Sequence, residues 1–264
     1  MSNGTEIAVT NARVYASPAR AQWYGTLSEL TAAEQAALDL TQSKWRGGDL
    51  LDIGVGGGRT SQYLAPEAHS YVGADYSQAM ISVVKARYPD LDYRQADARD
   101  LSIFPDRSFD FAFFPDNGVD AVGNSDRTRI LAEVHRVLRP GGVAVLSSHN
   151  RDWSHNNIQW RQMFRVNFSS SALTTATSLI RPIIRLRNYL GVRSRQQHTE
   201  TYDIRLDPGN DFASPHYYVG ADEMRRQLEA AGLVSVQVLN AAGELVGPAL
   251  ETSSASLLYL AHRP

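Results

Sequence analysis

The run Leu50-Leu51-Asp52-Ile53-Gly54-Val55-Gly56-Gly57-Gly58-Arg59 decides the fold of this chain. Asp49 to Ile53 is largely apolar, too short for a helix and stopped by glycines, which predicts a buried strand entering a tight turn. Glycine removes the Cβ atoms that would hold a flat ligand off the backbone, and it permits positive φ. Thr60 to Leu64 then reads as a helix whose first amides face whatever lies on the loop. The stretch is a cradle of the nucleotide-binding type.

Spacing narrows the ligand. A dinucleotide fingerprint requires G-x-G-x-x-G, and here the third glycine position falls on Arg59, which counts against an NAD-dependent oxidoreductase. The loop instead runs D-x-G-x-G-x-G through Asp52, Gly54, Gly56 and Gly58, a pattern that resembles the first motif of class I S-adenosylmethionine (SAM) dependent methyltransferases. A glycine-rich turn can also be purely structural, so the rest of the chain must carry the case.

Ser70 to Asp75 reads as a second strand ending in an acid, about twenty residues beyond the glycines, the interval that a strand-helix-strand unit requires. A carboxylate there can accept from both hydroxyls of a ribose; the alternative is a helix cap, which Ser77 can provide instead. Asp75 and its neighbour Tyr76 are candidate cofactor residues. A third strand, Leu91 to Ala96, leads into Asp97-Ala98, where the resemblance implies an acid accepting from the adenine amino group and an amide meeting a ring nitrogen. Ser108 to Phe114 is the apolar central strand. It ends in Pro115-Asp116-Asn117-Gly118-Val119-Asp120, which makes Asn117 a candidate cofactor contact and Asp120 an acceptor contact or a turn cap. Thr128 to Leu138 is an amphipathic helix stopped by Arg139-Pro140-Gly141-Gly142 before a strand at Val143 to Leu146. Leu138 to Gly142 before a strand recurs in the same family. The motifs fall in the right order from Asp52 to Gly142.

The 264 residues suffice for one large domain with an insertion, and a net charge of -2 makes no general case for nucleic acid. The absence of cysteine removes disulfides, thiolate nucleophiles and Cys-based zinc sites. Met1 to Thr10 lacks a signal-like pattern and no apolar run reaches membrane-spanning length, so the expected location is the cytoplasm.

Around this core, residues 1–48 are expected to lie over the cofactor. Tyr15, Trp23 and Tyr24 stand in a less regular segment, followed by one helix over Leu27 to Trp45 with Thr31 and Glu34 as a capping box. Tyr15 and Trp23 are candidate acceptor contacts, or simply packing. His149 ends strand five where a general base is useful, with His216 as second choice; either can equally be satisfied by local backbone. The acid-amide pair of metal-dependent catechol-type enzymes is incomplete, so no metal is expected. Residues 150–215 interrupt the alternation as an expected helical cap. From Arg151 to Arg195 they hold eight arginines and Asp152 as the sole acid, a local charge of +7. Arg161 and Arg165 are candidate contacts to an acidic small-molecule acceptor, with Arg181 and Arg185 beside them; a solvated face, an interfacial helix or RNA contact are the alternatives, with nucleic acid disfavoured. Tyr217 follows His216 as a further acceptor candidate. Asp222 to Ala231 reads as a helix, and Val234 to Leu239 with Ser256 to Ala261 as the last two strands.

The resemblance implies a Rossmann-like, doubly wound, seven-stranded, mostly parallel α/β sheet with the last strand antiparallel, its core at residues 49–149 and 216–264. The implied activity is methyl transfer from SAM, leaving S-adenosylhomocysteine, to an oxygen or nitrogen of a small molecule. A methyltransferase acting on RNA and a non-catalytic SAM-binding module are the competing classes, and no oligomeric state is specified.

Overall fold

Strand β1 (Asp49–Ile53) buries Leu50, Leu51 and Ile53 and stands mid-sheet, paired in parallel with β2 (Ser70–Asp75) and β4 (Phe109–Phe114). β3 (Asp92–Gln95) lies beyond β2, and β5 (Leu138–Asn150) beyond β4. In the order 3-2-1-4-5 the chain's progress reverses between β1 and β4, so their carboxyl ends open a crevice. Phe111 and Phe113 pack into one apolar cluster and Ala112 and Phe114 into the other, as expected of a parallel strand covered on both faces. The computed structural model describes residues 3–153, 163–164, 172–247 and 254–264.

β10 (Ser256–His262) inserts antiparallel between β5 and β9 (Val234–Leu239), completing the seven expected strands. The sheet then goes further. His149 and Asn150 pair in parallel with Tyr218 and Val219 of β8 (Pro215–Val219), which carries β7 (Tyr202–Leu206) and β6 (Gln197–His198) antiparallel. The expected helical cap is thus helical only in part among the described residues: helix α8 (Ala172–Val192) is followed by strands. Tyr202, Ile204 and Leu206 alternate with Asp203 and Arg205, the period of a strand.

Helix α7 (Asn124–Val137) passes directly into β5. Leu138 pairs with Phe109 but Val143 with Phe111, so Arg139 to Gly142 bulge out of the ladder, helped by Gly141 at φ +78°. The region expected to be irregular contains two helices, α1 (Asn3–Tyr15) and α2 (Pro18–Gly25), the second opened by Pro18 at its first turn. The single helix expected up to Trp45 is divided into α3 (Ala32–Leu40) and α4 (Gln42–Trp45) at Thr41; the Thr31–Glu34 capping box forms as expected. Further helices are the one-turn α5 (Ser61–Leu64), α6 (Gln78–Arg87) and α9 (Ala221–Ala230).

The glycine loop is where these pieces meet. A Cβ on Gly57 would lie 2.4 Å from backbone atoms of Tyr24 and Gly25, and one on Gly58, at φ +81°, would lie 2.6 Å from Val84 of α6. Arg87 fastens the same junction, donating to the carbonyls of Gly25 and Leu27 at 2.9 Å and of Gly57 at 3.2 Å. Gly58, expected at the ligand, instead lets a helix pack. Gly58→Ala combines left-handed strain with overpacking and should cost about 2–4 kcal/mol; equilibrium urea unfolding measures it, and an unchanged midpoint would refute the packing role.

Candidate functional site

The cleft at the carboxyl ends of β1 and β4 has the backbone of Gly54 and Gly56 as its floor, Asp75 and Tyr76 as one wall, and Asp97, Ala98 and Arg99 beyond them. Phe114 to Gly118 form the opposite side, and α1 and α2 bring Tyr15 and Tyr24 over it. Tyr24 packs 3.7 Å from where a Cβ of Gly56 would sit. Asp75 accepts from the Gly56 amide at 3.0 Å and the Ser77 amide at 2.8 Å, while Ser77 itself caps α6. Burial pushes its carboxyl up to about 6 against those two amides. Three residues lining this cleft, Asn11, Tyr76 and Asn117, each carry a side-chain oxygen that is buried without a partner among the described residues. Unsatisfied buried groups beside a glycine floor and a carboxylate fit a ligand with sugar hydroxyls and a flat polar ring.

Asp52 lies beneath this cleft, not in it. It is fully buried and accepts from Thr60 Oγ1 at 2.5 Å and Tyr71 Oη at 2.7 Å, tying β1 to the start of α5 and to β2. Burial raises its carboxyl to about 6. Asp97 takes the Arg99 guanidinium on both oxygens, at 2.6 to 3.1 Å; burial opposes its ionisation, but Arg99 holds the carboxyl below its ordinary range.

At the other end of the cleft the chain turns sharply. Asp116 and Asn117 are both left-handed, at φ 57° and 56°, before a 3-10 turn at Gly118–Asp120. The Asn117 amide donates to Ser147 Oγ at 2.7 Å, and its side chain reaches Ser256 at 3.0 Å and His149 Nε2 at 3.5 Å. His149 occupies the fork where β10 ends its pairing with β5 and β8 begins. Its Nδ1 is 2.8 Å from Asp120 Oδ2, and its amide donates to the same oxygen at 2.6 Å. Asp120 is wholly buried and also takes Ser148 Oγ at 2.8 Å and the buried Arg127 guanidinium. Burial opposes its charge, yet Arg127 and then His149 hold the carboxyl below its ordinary range. Burial likewise opposes an imidazolium at His149, but Asp120 outweighs it and the imidazole is raised above its usual value. His216 behaves oppositely: 5.3 Å from the His149 ring, with Nε2 3.4 Å from Tyr15 Oη, it is driven down to about 4 by burial against the pull of Asp207.

Three expected acceptor contacts are placed elsewhere. Asp120 has its oxygens occupied inside the protein and positions His149. Tyr217 is fully buried, donating to Asn124 at 2.8 Å and stacked on Tyr202, because β8 turns it inward. Trp23 is 56 % exposed against the edge of Tyr24, on the outside of α2. Arg161 and Arg165 lie outside the described residues. Arg181 and Arg185 both pair with Asp211, at 3.2 and 2.9 Å. Sequence reasoning passed over Arg99 and Arg127; Arg127 sits in a charged-looking helix, and only the fold reveals that it points inward.

Residues 50–142 match the family model described as a methyltransferase domain. A probable SAM-dependent methyltransferase of Mycolicibacterium smegmatis is 35 % identical over 112 residues, 40 % of this chain and 39 % of the relative. The phthiotriol/phenolphthiotriol dimycocerosates methyltransferase of Mycobacterium tuberculosis is 40 % identical over 107 residues, 39 % of this chain and 38 % of the relative. The chain thus spans well under half the length of these relatives. The fold is shared with Burkholderia thailandensis 1,6-didemethyltoxoflavin-N1-methyltransferase, solved with 1,6-didemethyltoxoflavin and S-adenosylhomocysteine (TM-score 0.52, 15 % identity, 88 % of this chain and 78 % of that one). The Mycolicibacterium smegmatis relative is named as SAM-dependent, and the glycine floor, Asp75 and the unsatisfied oxygens of Asn11, Tyr76 and Asn117 in this chain fit that cofactor.

The His149–Asp120 pair has a measurable signature. With the folded pKa above the unfolded one, its contribution to stability is complete below the unfolded value and fades as pH rises through the folded value. Histidine-resolved NMR titration of Asp120→Asn should show the His149 midpoint shifted at least one unit downward, as loss of a charged hydrogen bond requires; an unmoved midpoint would exclude Asp120 as the cause.

Proposed function

We propose that this chain transfers a methyl group from SAM to an oxygen or nitrogen of a small molecule, with His149 accepting the proton that the acceptor loses. The observation that carries the reading is His149 itself, engaged through Nδ1 by a buried carboxylate while Nε2 faces Asn117 at the end of the cleft. When bound, SAM supplies a methyl group on a positively charged sulfur that leaves as a neutral thioether. Asp75 would hold the ribose hydroxyls, Asp97 and the Ala98 amide the adenine, and Tyr76 and Asn117 the remaining polar atoms. Residues 1–48 would cover the cofactor, with 150–215 on the acceptor side. Alignment of donor and acceptor by these walls can supply roughly 7–11 kcal/mol. The proton leaves the acceptor for Nε2, and Asp120 stabilises the imidazolium formed. An acceptor with an acidic group remains part of the proposal through Arg161 and Arg165.

Calorimetry should find binding of S-adenosylhomocysteine and none of NAD. Asp75→Ala should weaken S-adenosylhomocysteine binding by about 1.5–3 kcal/mol with the melting temperature kept, the range for a hydrogen bond to a charged group. Wild-type affinity should fall as pH drops through about 6, where Asp75 takes up a proton and loses an acceptor. Tight NAD binding, or a destabilised Asp75→Ala with unchanged affinity, would overturn the assignment. With an acceptor found by screening hydroxylated and amino compounds for S-adenosylhomocysteine release, His149→Ala should lower kcat about 10²- to 10⁴-fold. Wild-type kcat/KM should rise with pH through the raised His149 value; a flat profile and full activity in His149→Ala would remove the base.

A further inference from the structure

Residues 172–199 contain five arginines and no acid. On α8, Leu179, Ile183, Leu186 and Leu190 recur at intervals of four, three and four, which places them on one stripe. All four are exposed, Ile183 to 70 %, and Ile180 and Ile184 are exposed beside them. The opposite side of the helix is the one that packs: Arg185 and Asn188 bond to Asp211, and Tyr189 meets Phe212 edge-on. Arg187 and Arg193 flank the outer stripe, exposed and without an acidic partner among the described residues. A contiguous aliphatic face of this kind marks an interaction surface.

We propose that α8 docks on an anionic lipid surface, laying Leu179, Ile183, Leu186 and Leu190 among the acyl chains with Arg187 and Arg193 at the headgroups. Charge selects this occupant. A second copy packed stripe to stripe would bring the unpaired arginines of both helices together with no carboxylate on either, whereas anionic lipid supplies the missing charge. Among the described residues no helix is long and apolar enough to cross a membrane, so α8 lies on the surface. The docking face connects to the cleft through one turn: Asp211 holds α8, and Asn210 donates to Tyr15 Oη at 3.4 Å.

The test sediments the full chain with vesicles of phosphatidylcholine alone and with phosphatidylglycerol added. Binding should require phosphatidylglycerol and weaken in high salt. Arg187→Glu should weaken it roughly tenfold, and Ile183→Glu should abolish it, both with melting temperature and S-adenosylhomocysteine affinity unchanged. No sedimentation with either vesicle, or sedimentation untouched by Ile183→Glu, would overturn the proposal. So would a dimer in velocity sedimentation that Ile183→Glu dissolves, which would assign the stripe to a second copy.

Discussion

Asp120 is a carboxylate with no access to water, and the His149 end of the cleft is arranged around keeping it charged. Left alone in that position it would take up a proton. Arg127 comes from α7 to meet it, and Ser148 and His149 come from β5. Arg127 is held in turn by Gln227 of α9 at 2.9 Å and lies 4.6 Å over the Tyr217 ring of β8. Removing one member of such a buried set strands a charge, typically at about 3–5 kcal/mol. The same contacts that satisfy Asp120 also fix the His149 ring with Nε2 toward Asn117, so the stability of this corner and the orientation of the imidazole share a cause.

The cofactor end depends on close backbone approach instead. Gly57 admits the α2 backbone and Gly58 admits α6, and α2 then carries Tyr24 over Gly56. The glycine-rich loop therefore works in two directions: Gly54 and Gly56 toward the ligand, Gly57 and Gly58 toward the helices that enclose it.

The parallel core was legible because β1 and β2 are largely apolar runs ended by a glycine and by an acid, at the interval that a strand-helix-strand chain requires. The place of Asp75 at the end of β2 was legible for the same reason, and Ser77 caps the helix that follows. Positions whose meaning depends on which way a strand faces were not legible. Tyr217 and Asp120 look like cleft residues in the linear chain, but β8 and the turn after β4 point them inward. Arg127 has no sequence signal at all, since an arginine on an amphipathic helix ordinarily faces water. The β6–β8 addition was not legible because the reading of residues 150–215 rested on the arginines of 151–195, whereas residues 197–219 hold only Arg205 and carry the alternation of Tyr202, Ile204 and Leu206.

The two ends of the cleft meet at Asn117, which is bonded to Ser147 and Ser256 and lies 3.5 Å from His149. The central claim is that one ligand spans from Asp75 to this asparagine with the base waiting beyond it. A crystal structure with S-adenosylhomocysteine tests that most directly. The account predicts ribose hydroxyls on Asp75, adenine beside Ala98 and the sulfur directed toward His149; a nucleoside bound elsewhere, or a sulfur pointing away from His149, would contradict it.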